Sequence, residues 1–256
     1  MNNAPILEFD PNRTAILEPN KRWTSGGDPP RKAVLCFFQE VLKKLAQAGI
    51  LHRAAEIRSE IGANPVYLAT WGEQTMAVLH PGVGAPLAAG FLEEMISMGI
   101  RQFVVCGGCG VLVHEIAAGH VVVIDEAVRD EGTSYHYLPA TRSVRASEEV
   151  TAVITHALDR RRVPYITSKS WTTDGIYRET EAKRAARIKE GCAVVEMEAA
   201  ALFAVAQFRQ VQIGQVVYGG DLVVPEGWDR RGWDSRLLER EMLFEVALES
   251  CAALPA

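Results

Sequence analysis

Two carboxylates flanking a methionine, Glu196-Met197-Glu198, stand between the apolar pair Val194-Val195 and a run of alanines. Glutamate in a first helical turn is ordinary compensation of the helix dipole. Here the preceding strand is apolar, so one carboxylate is drawn inward, and a buried carboxylate needs hydrogen-bond donors. A sugar diol supplies two hydroxyl donors. Four more groups of glycines and polar residues stand where predicted strands stop: His80-Pro-Gly-Val-Gly84, Gly107-Gly-Cys-Gly110, Asp174 and Gly219-Gly-Asp221. Glycine lets backbone approach a ligand closely, and a carboxylate there can bind hydroxyls or exchange protons with a ring nitrogen. Singly, each group is what any loop carries. Five on one side of a sheet point to a binding site.

The elements that would position these residues alternate along the chain. A strand at 33–38 leads into a helix at 39–48, stopped by Gly49. Residues 65–71 and 75–80 read as a hairpin around Gly72-Glu73. A helix follows Gly84, with Pro86 in its first turn and Gly99 at its end. Further strands are predicted at 103–106, 121–128, 165–171, 194–195 and 211–218. Helices are predicted at 148–161, 181–190, 197–207 and 233–252. This pattern predicts a single α/β domain over 33–256, a mixed central sheet flanked by helices. Active sites of such sheets lie at the carboxyl ends of the strands. Residues 1–32 read as an irregular N-terminal extension rich in turn signals, with 14–17 able to form a short strand.

Composition narrows the function further. The 256 residues carry a net charge of −5, which offers no basic surface for nucleic acid. The longest apolar runs fall far short of the roughly 20 residues that span a bilayer. The N-terminus, Met1-Asn-Asn-Ala-Pro5, lacks the basic and apolar regions of a secretory signal. Five cysteines, an odd number, fit a reducing cytoplasm, the expected location. Cys106-Gly-Gly-Cys109 has half-zinc or redox spacing, but no second pair or histidine cluster accompanies it, so no metal is expected. The glycines there also lack the order of a dinucleotide site.

Val195-Glu-Met-Glu-Ala-Ala200 resembles the ribose-binding segment of the nucleoside phosphorylase superfamily, which includes purine nucleoside phosphorylases, uridine phosphorylases and methylthioadenosine nucleosidases. The resemblance spans Ala33 to the C-terminal helix. His80-Pro-Gly-Val-Gly-Ala-Pro86 and Gly107-Gly-Cys-Gly110 stand where that family has its two glycine loops, and Gly220-Asp221 where purine-acting members carry Ser-Asp. It implies an enzyme that breaks the N-glycosidic bond of a nucleoside. Glu198 would hold the ribose hydroxyls, with Met197 packed on the sugar and Glu196 beside them. Asp221 would protonate or hydrogen-bond a purine N7. Gly84, Gly108, Ile176 and Tyr177 would line the substrate. Uridine-acting members carry a Gln and an Arg after the segment matching Asp174-Gly-Ile-Tyr177. Arg178-Glu-Thr-Glu-Ala182 lacks that pair, which leans the reading towards purine.

The departures concern the acceptor. The family's phosphate-binding arginine and hydroxyl positions are Val105 and Gly108 here. A phosphate anion needs cationic donors, and Arg31, Arg129, Arg178 and His80 are the candidates. Gly27-Asp-Pro-Pro-Arg31 resembles the family's phosphate loop but precedes the strand at 33–38. Glu40 points instead to water, since Phe38-Gln-Glu-Val41 resembles the nucleosidase segment whose glutamate activates it. Dipole compensation explains Glu40 equally. Phosphorolysis is the leading expectation, with phosphate as co-substrate and no cofactor. Hydrolysis, and nucleoside sensing without turnover, are the rivals. The family also implies a homo-oligomer, a dimer or trimer of dimers. In it the loop 129–137, with His136 and Tyr137, would complete a neighbouring subunit's site.

Overall fold

The unbroken apolar run after Arg31 forms β1 (Lys32–Cys36), buried on both faces as such a run requires. The structure, a computed structural model, describes residues 4–20 and 23–255. Met1–Asn3, part of the N-terminal reading above, lie outside them. The strand stops when Phe37 N–H bonds back to the Cys106 carbonyl at 3.0 Å. α1 (Gln39–Gln47) then begins and ends before Gly49, whose φ of 71° halts it.

Five strands close on themselves. β5 (Gln102–Val111) pairs in parallel with β10 (Gln212–Val224). β10 runs antiparallel to β6 (Val121–Asp130), and β6 parallel to β8 (Tyr165–Thr173). β8 is parallel to β9 (Cys192–Glu196), which returns antiparallel to β5. From β5 the sheet continues through β1 and β4 (Gln74–Leu79) to β3 (Gly62–Trp71) and β2 (His52–Ser59) at the edge. The expected mixed sheet flanked by helices is therefore present, with a closure that the alternation of elements did not predict. On one face pack α2 (Ala85–Ser97) and α5 (Ala199–Arg209). On the other pack α1, α3 (Glu148–Arg161) and α6 (Leu237–Ala253). Among the described residues no helix is long and apolar enough to cross a membrane.

Closure corrects one part of the sequence reading. Gly107–Gly110 and Gly219–Asp221 lie inside β5 and β10 rather than in loops after them. Glycine is what lets these strands cross so tightly. A Cβ at Gly110 would stand 2.8 Å from the Val195 side chain, and one at Gly219 would stand 2.9 Å from Val111. The strand also separates Cys106 from Cys109, three residues apart and hence on opposite faces. Cys106 belongs to the core under α6, Cys109 to the core under α5.

Two predicted helices begin later than expected. The predicted helix 197–207 begins at Ala199, because Glu198 is its N-cap with φ −135°. The predicted helix 233–252 is a 3-10 turn at Trp233–Ser235 followed by α6. The edge strand β2, with only two of its eight residues buried, gave no apolar run to read. Residues 14–17 form no strand, and Ile16 and Leu17 stay exposed. The N-terminal segment packs on the domain all the same, with Trp23 against the α2–α5 core and the Arg209 guanidinium on the Arg13 carbonyl.

Helix α3 packs on β10 at Gly214, where a Cβ would meet Val150 at 2.8 Å and 3.1 Å. Gly214→Ala should therefore cost about 1–3 kcal/mol. Gly90→Ala, at an exposed position of α2 with open space around it, should gain roughly 0.5–1 kcal/mol. Urea unfolding of the two variants checks both signs.

Candidate active site

β9 ends in Glu196, whose carboxylate is buried among four donors. Its Oε1 accepts from the hydroxyls of Ser170 (2.9 Å) and Thr172 (2.6 Å), both on β8. Its Oε2 accepts from the backbone N–H groups of Glu198 (2.8 Å) and Ala199 (2.6 Å), the start of α5. Burial still pushes its carboxyl up. Four donors meet its two oxygens, so Glu196 caps and fixes α5 and has little acceptor capacity left for a ligand.

Glu198 is held differently. Its Oε1 accepts from Gly84 N–H at 2.6 Å, and its Oε2 meets Met197 N–H at 3.3 Å. The Gly84 contact depends on the loop after β4, where Gly82 and Gly84 have φ of 80° and 89°. A Cβ at Gly82 would collide with Leu87 at 2.3 Å. Burial, then the charges of Glu196 and Asp174, push Glu198 up to about 8, against the pull of the two backbone N–H groups. It is a buried acid with acceptor capacity left over, beside the half-buried Met197.

Asp221 lies at a bulge in β10 and accepts from the Trp228 indole at 2.6 Å. Arg231 clamps the backbone here, donating to the carbonyls of Ile116 (2.9 Å), Gly220 (3.1 Å) and Asp221 (3.3 Å). The charge of Asp221 also reaches Glu179, a half-buried residue that the sequence reading passed over. Burial and the charge of Asp221 push it up to about 7. The signal available was a glutamate just after the Ile176-Tyr177 segment. Ile176, Tyr177 and Arg178 form an exposed 3-10 turn, and the Arg178 side chain has no ion-pair partner among the described residues. Asp174 accepts from Gly132 N–H at 2.8 Å, and its charge reaches both Glu198 and Glu131.

The other phosphate candidates are engaged elsewhere. Arg31 begins β1 at the end of the strand opposite the site, its carbonyl bonded by Arg101 and Gln102 N–H. Arg129 is buried, spending its donors on Ser134, Leu138, Pro139 and Thr141 within its own loop. His80 lies in the first glycine loop, where its Nδ1 accepts from Gly82 N–H. Burial lowers its pKa, which keeps the ring neutral at pH 7. Glu40 is not a free base, because it pairs with Arg240, which also donates to the Tyr218 hydroxyl at 3.0 Å. Aromatic rings cover the second glycine segment: Phe37 lies 3.0 Å from a Cβ built on Gly107, and Tyr218 lies 3.4 Å from one on Gly108. His136 and Tyr137 lie beside α5 of their own chain. Tyr137 stacks edge-on against Phe208, and both line a cavity of about 560 Å³ with residues 12–20.

The comparisons identify the family and the fold. A family model described as the phosphorylase superfamily matches residues 31–240. A uridine phosphorylase of Treponema pallidum is 29% identical over 211 residues, covering 76% of this chain and 80% of its own. A purine nucleoside phosphorylase of Plasmodium vivax is 29% identical over 189 residues, 72% of this chain and 76% of its own. The crystal structure of AMP nucleosidase from Bacteroides thetaiotaomicron superposes with a TM-score of 0.70 at 20% identity, covering 87% of each chain.

Glu198 carries a sign-definite consequence for stability. Its folded pKa of about 8 lies above the usual value, so the folded state keeps a proton that the unfolded chain has released. Stability should therefore fall as pH rises from about 4.5 to about 8 and level off above. Glu198→Gln keeps the Gly84 acceptor and removes this loss. Its Tm at pH 8.5 should exceed that of the wild type by about 3 °C or more, the shift roughly 1 kcal/mol gives at this size. Thermal melts across pH check it, and equal Tm values at both ends of the range would refute the assignment.

Proposed function

Because the chain belongs to the phosphorylase superfamily, we propose that it cleaves the N-glycosidic bond of a purine nucleoside, passing the pentose to phosphate. The observation that carries the reading is Glu198, a buried carboxyl held by the first glycine loop with acceptor capacity unspent. A ribose diol would supply its missing donors. Breaking the C–N bond leaves a cation-like ribosyl centre, which Glu198 stabilises once hydroxyl donors and the developing positive charge favour its ionised form, while an acid at the base assists its departure. Asp221 takes that second role. The missing uracil-type Gln and Arg pair after Tyr177 favours purine. Phosphate as acceptor is favoured by the phosphorylases among the relatives, with Arg178 the cation left to meet it. The homo-oligomer the family implies would add donors from a neighbour, and the active chain is a cytoplasmic one.

Hydrolysis has an observation of its own. Val105 replaces the family's arginine, Phe37 and Tyr218 cover Gly107 and Gly108, and Arg129, Arg231 and Arg240 are committed elsewhere. An apolar wall suits water better than a multiply charged anion. Incubation with adenosine, inosine and uridine, with and without phosphate, separates the readings. Free purine base and pentose 1-phosphate only with phosphate is the expected result. Base released equally without phosphate means hydrolysis, and binding without turnover means a sensor.

Glu198→Gln should lower kcat/KM about 100-fold, the scale of losing one transition-state contact. Asp221→Asn should slow inosine or adenosine far more than 7-methylguanosine, whose base already carries a positive charge. Equal losses on both substrates would make Asp221 structural.

A further inference from the structure

Residues 4–20 and 23–30 lie outside the stretch that the family model matches, 31–240, yet their far end returns to the candidate site. Ahead of β1, Pro29 packs against the end of α2, 3.1 Å from a Cβ built on Gly99, and Trp23 rests on the α2–α5 core. Farther out, Arg209 of α5 holds the segment. Its guanidinium donates to the Arg13 carbonyl at 3.3 Å, pairs with Glu18 at 3.7 Å, and is itself fixed by Glu93 of α2 at 2.8 Å. The Arg13 guanidinium lies over the Phe208 ring, 5.5 Å from its centroid. Beyond this anchor the 3-10 turn Pro5–Leu7 packs on the 3-10 turn Thr133–His136. Within it Pro5 and Leu7 are exposed and Ile6 is half-buried. The Ile6 Cδ1 lies 3.4 Å from a Cβ built on Gly132, and Oδ2 of Asp174 lies 3.7 Å from the same point. Chain neighbours aside, no other atom of the described residues comes within 4 Å of it.

Gly132 N–H donates to Asp174 Oδ2 at 2.8 Å, and Asp174 accepts no other hydrogen bond among the described residues. Asp174 and Glu198 each stand two residues past a paired position on adjacent parallel strands, Thr172 opposite Glu196. Both therefore leave the sheet at the same end. The bond from Gly132 is exposed to solvent, where a hydrogen bond contributes little by itself. The loop around it also carries a cost, because Glu131 is 6% exposed and its Oε1 has no hydrogen-bond partner. An unsatisfied buried oxygen favours opening to water. Arg129 ties down the farther half of the loop, at Ser134, Leu138, Pro139 and Thr141. Over the nearer half, at Gly132, the apolar cover is Ile6. We propose that the N-terminal segment is a clamp on the active site, with Ile6 a positioning residue that holds Gly132 against Asp174 and so fixes the Asp174 carboxylate at the end of the sheet where Glu198 stands. With Oδ2 taken by Gly132, Oδ1 is left for a donor on the ligand. The effect on turnover rests on the nucleoside reading of that site, and the clamp itself does not.

Hydrogen–deuterium exchange over residues 129–138 reads the clamp without substrate. Ile6→Ala should speed exchange there about 5-fold, the scale of losing part of one apolar side chain's burial, and leave β5 and α6 unchanged. Ile6→Leu, which restores the apolar bulk, should return it to the wild-type rate. Asp174→Ala removes the acceptor, so adding Ile6→Ala to it should speed exchange little further, because both act on one bond. With adenosine and inosine, phosphate present and absent, Ile6→Ala should lower kcat/KM about 10-fold, within the range that misplacing a site group costs. In the Asp174→Ala background it should again add little. Unchanged exchange in Ile6→Ala, or exchange raised across the whole domain, overturns the clamp. Faster local exchange with kcat/KM unmoved, or a loss that simply adds to that of Asp174→Ala, overturns the positioning role. If wild type splits no nucleoside, the nucleoside reading falls, and the exchange result alone decides the clamp.

Discussion

A carboxylate inside a protein must be given donors, and the way Glu196 obtains them determines the rest of the site. Two hydroxyls from β8 and two N–H groups from the start of α5 converge on it. Thr172 also accepts from Ala200 N–H at 3.0 Å, so β8, β9 and α5 are locked at one point. Those bonds set the N-cap geometry of Glu198 and place a second carboxyl close to the first. The cost of that like charge falls on Glu198, because Glu196 has taken the donors. What remains for Glu198 is the Gly84 N–H, brought across by the first glycine loop. A site that is one donor short is a site that binds a donor.

The same shortage runs around the open end of the strand ring. The charge of Asp174 reaches both Glu131 and Glu198, and that of Asp221 reaches Glu179. The nearby arginines are spent on carbonyls or on their own loop. Glu131 keeps one buried oxygen without a hydrogen bond. Carboxyls in need of donors favour a ligand rich in hydroxyls and amino groups, or one that becomes cationic as it reacts. A nucleoside passing towards a ribosyl cation satisfies both conditions, which is why the electrostatics and the family membership agree.

Much of this was legible in the residues. The apolar runs gave β1, β4, β5 and β6, and Gly49 and Gly99 gave the ends of two helices, because burial and positive φ leave strong local marks. The segment 195–200 stood out because two acids beside an apolar strand are hard to explain otherwise. Three things left no such mark. Ring closure depends on a pairing between β9 and β5, some eighty residues apart, made possible by missing side chains at Gly110 and Gly219. Glu196 and Glu198 are the same residue type two positions apart, so sequence could not say which one spends its oxygens on the fold. Glu179 and Glu40 look alike at first-turn and loop positions. Only the structure pairs one with Arg240 and brings the charge of Asp221 to the other.

The second glycine segment carries the last step. Where relatives place a cation and a hydroxyl, this chain has Val105 and Gly108, and removing side chains from a strand leaves space that neighbours fill. Phe37 fills it on one face of β5, and Tyr218 on the other. Tyr218 in turn takes the Arg240 guanidinium and donates its hydroxyl proton to the Trp233 carbonyl at 2.8 Å. Arg240 holds Glu40. Tyr218, Arg240 and Glu40 are therefore one connected network. The Tyr218 oxygen accepts from Arg240, and Arg240 in its buried position needs an acid. As long as the Glu40–Arg240 pair holds, Glu40 is no free base and Arg240 no free cation.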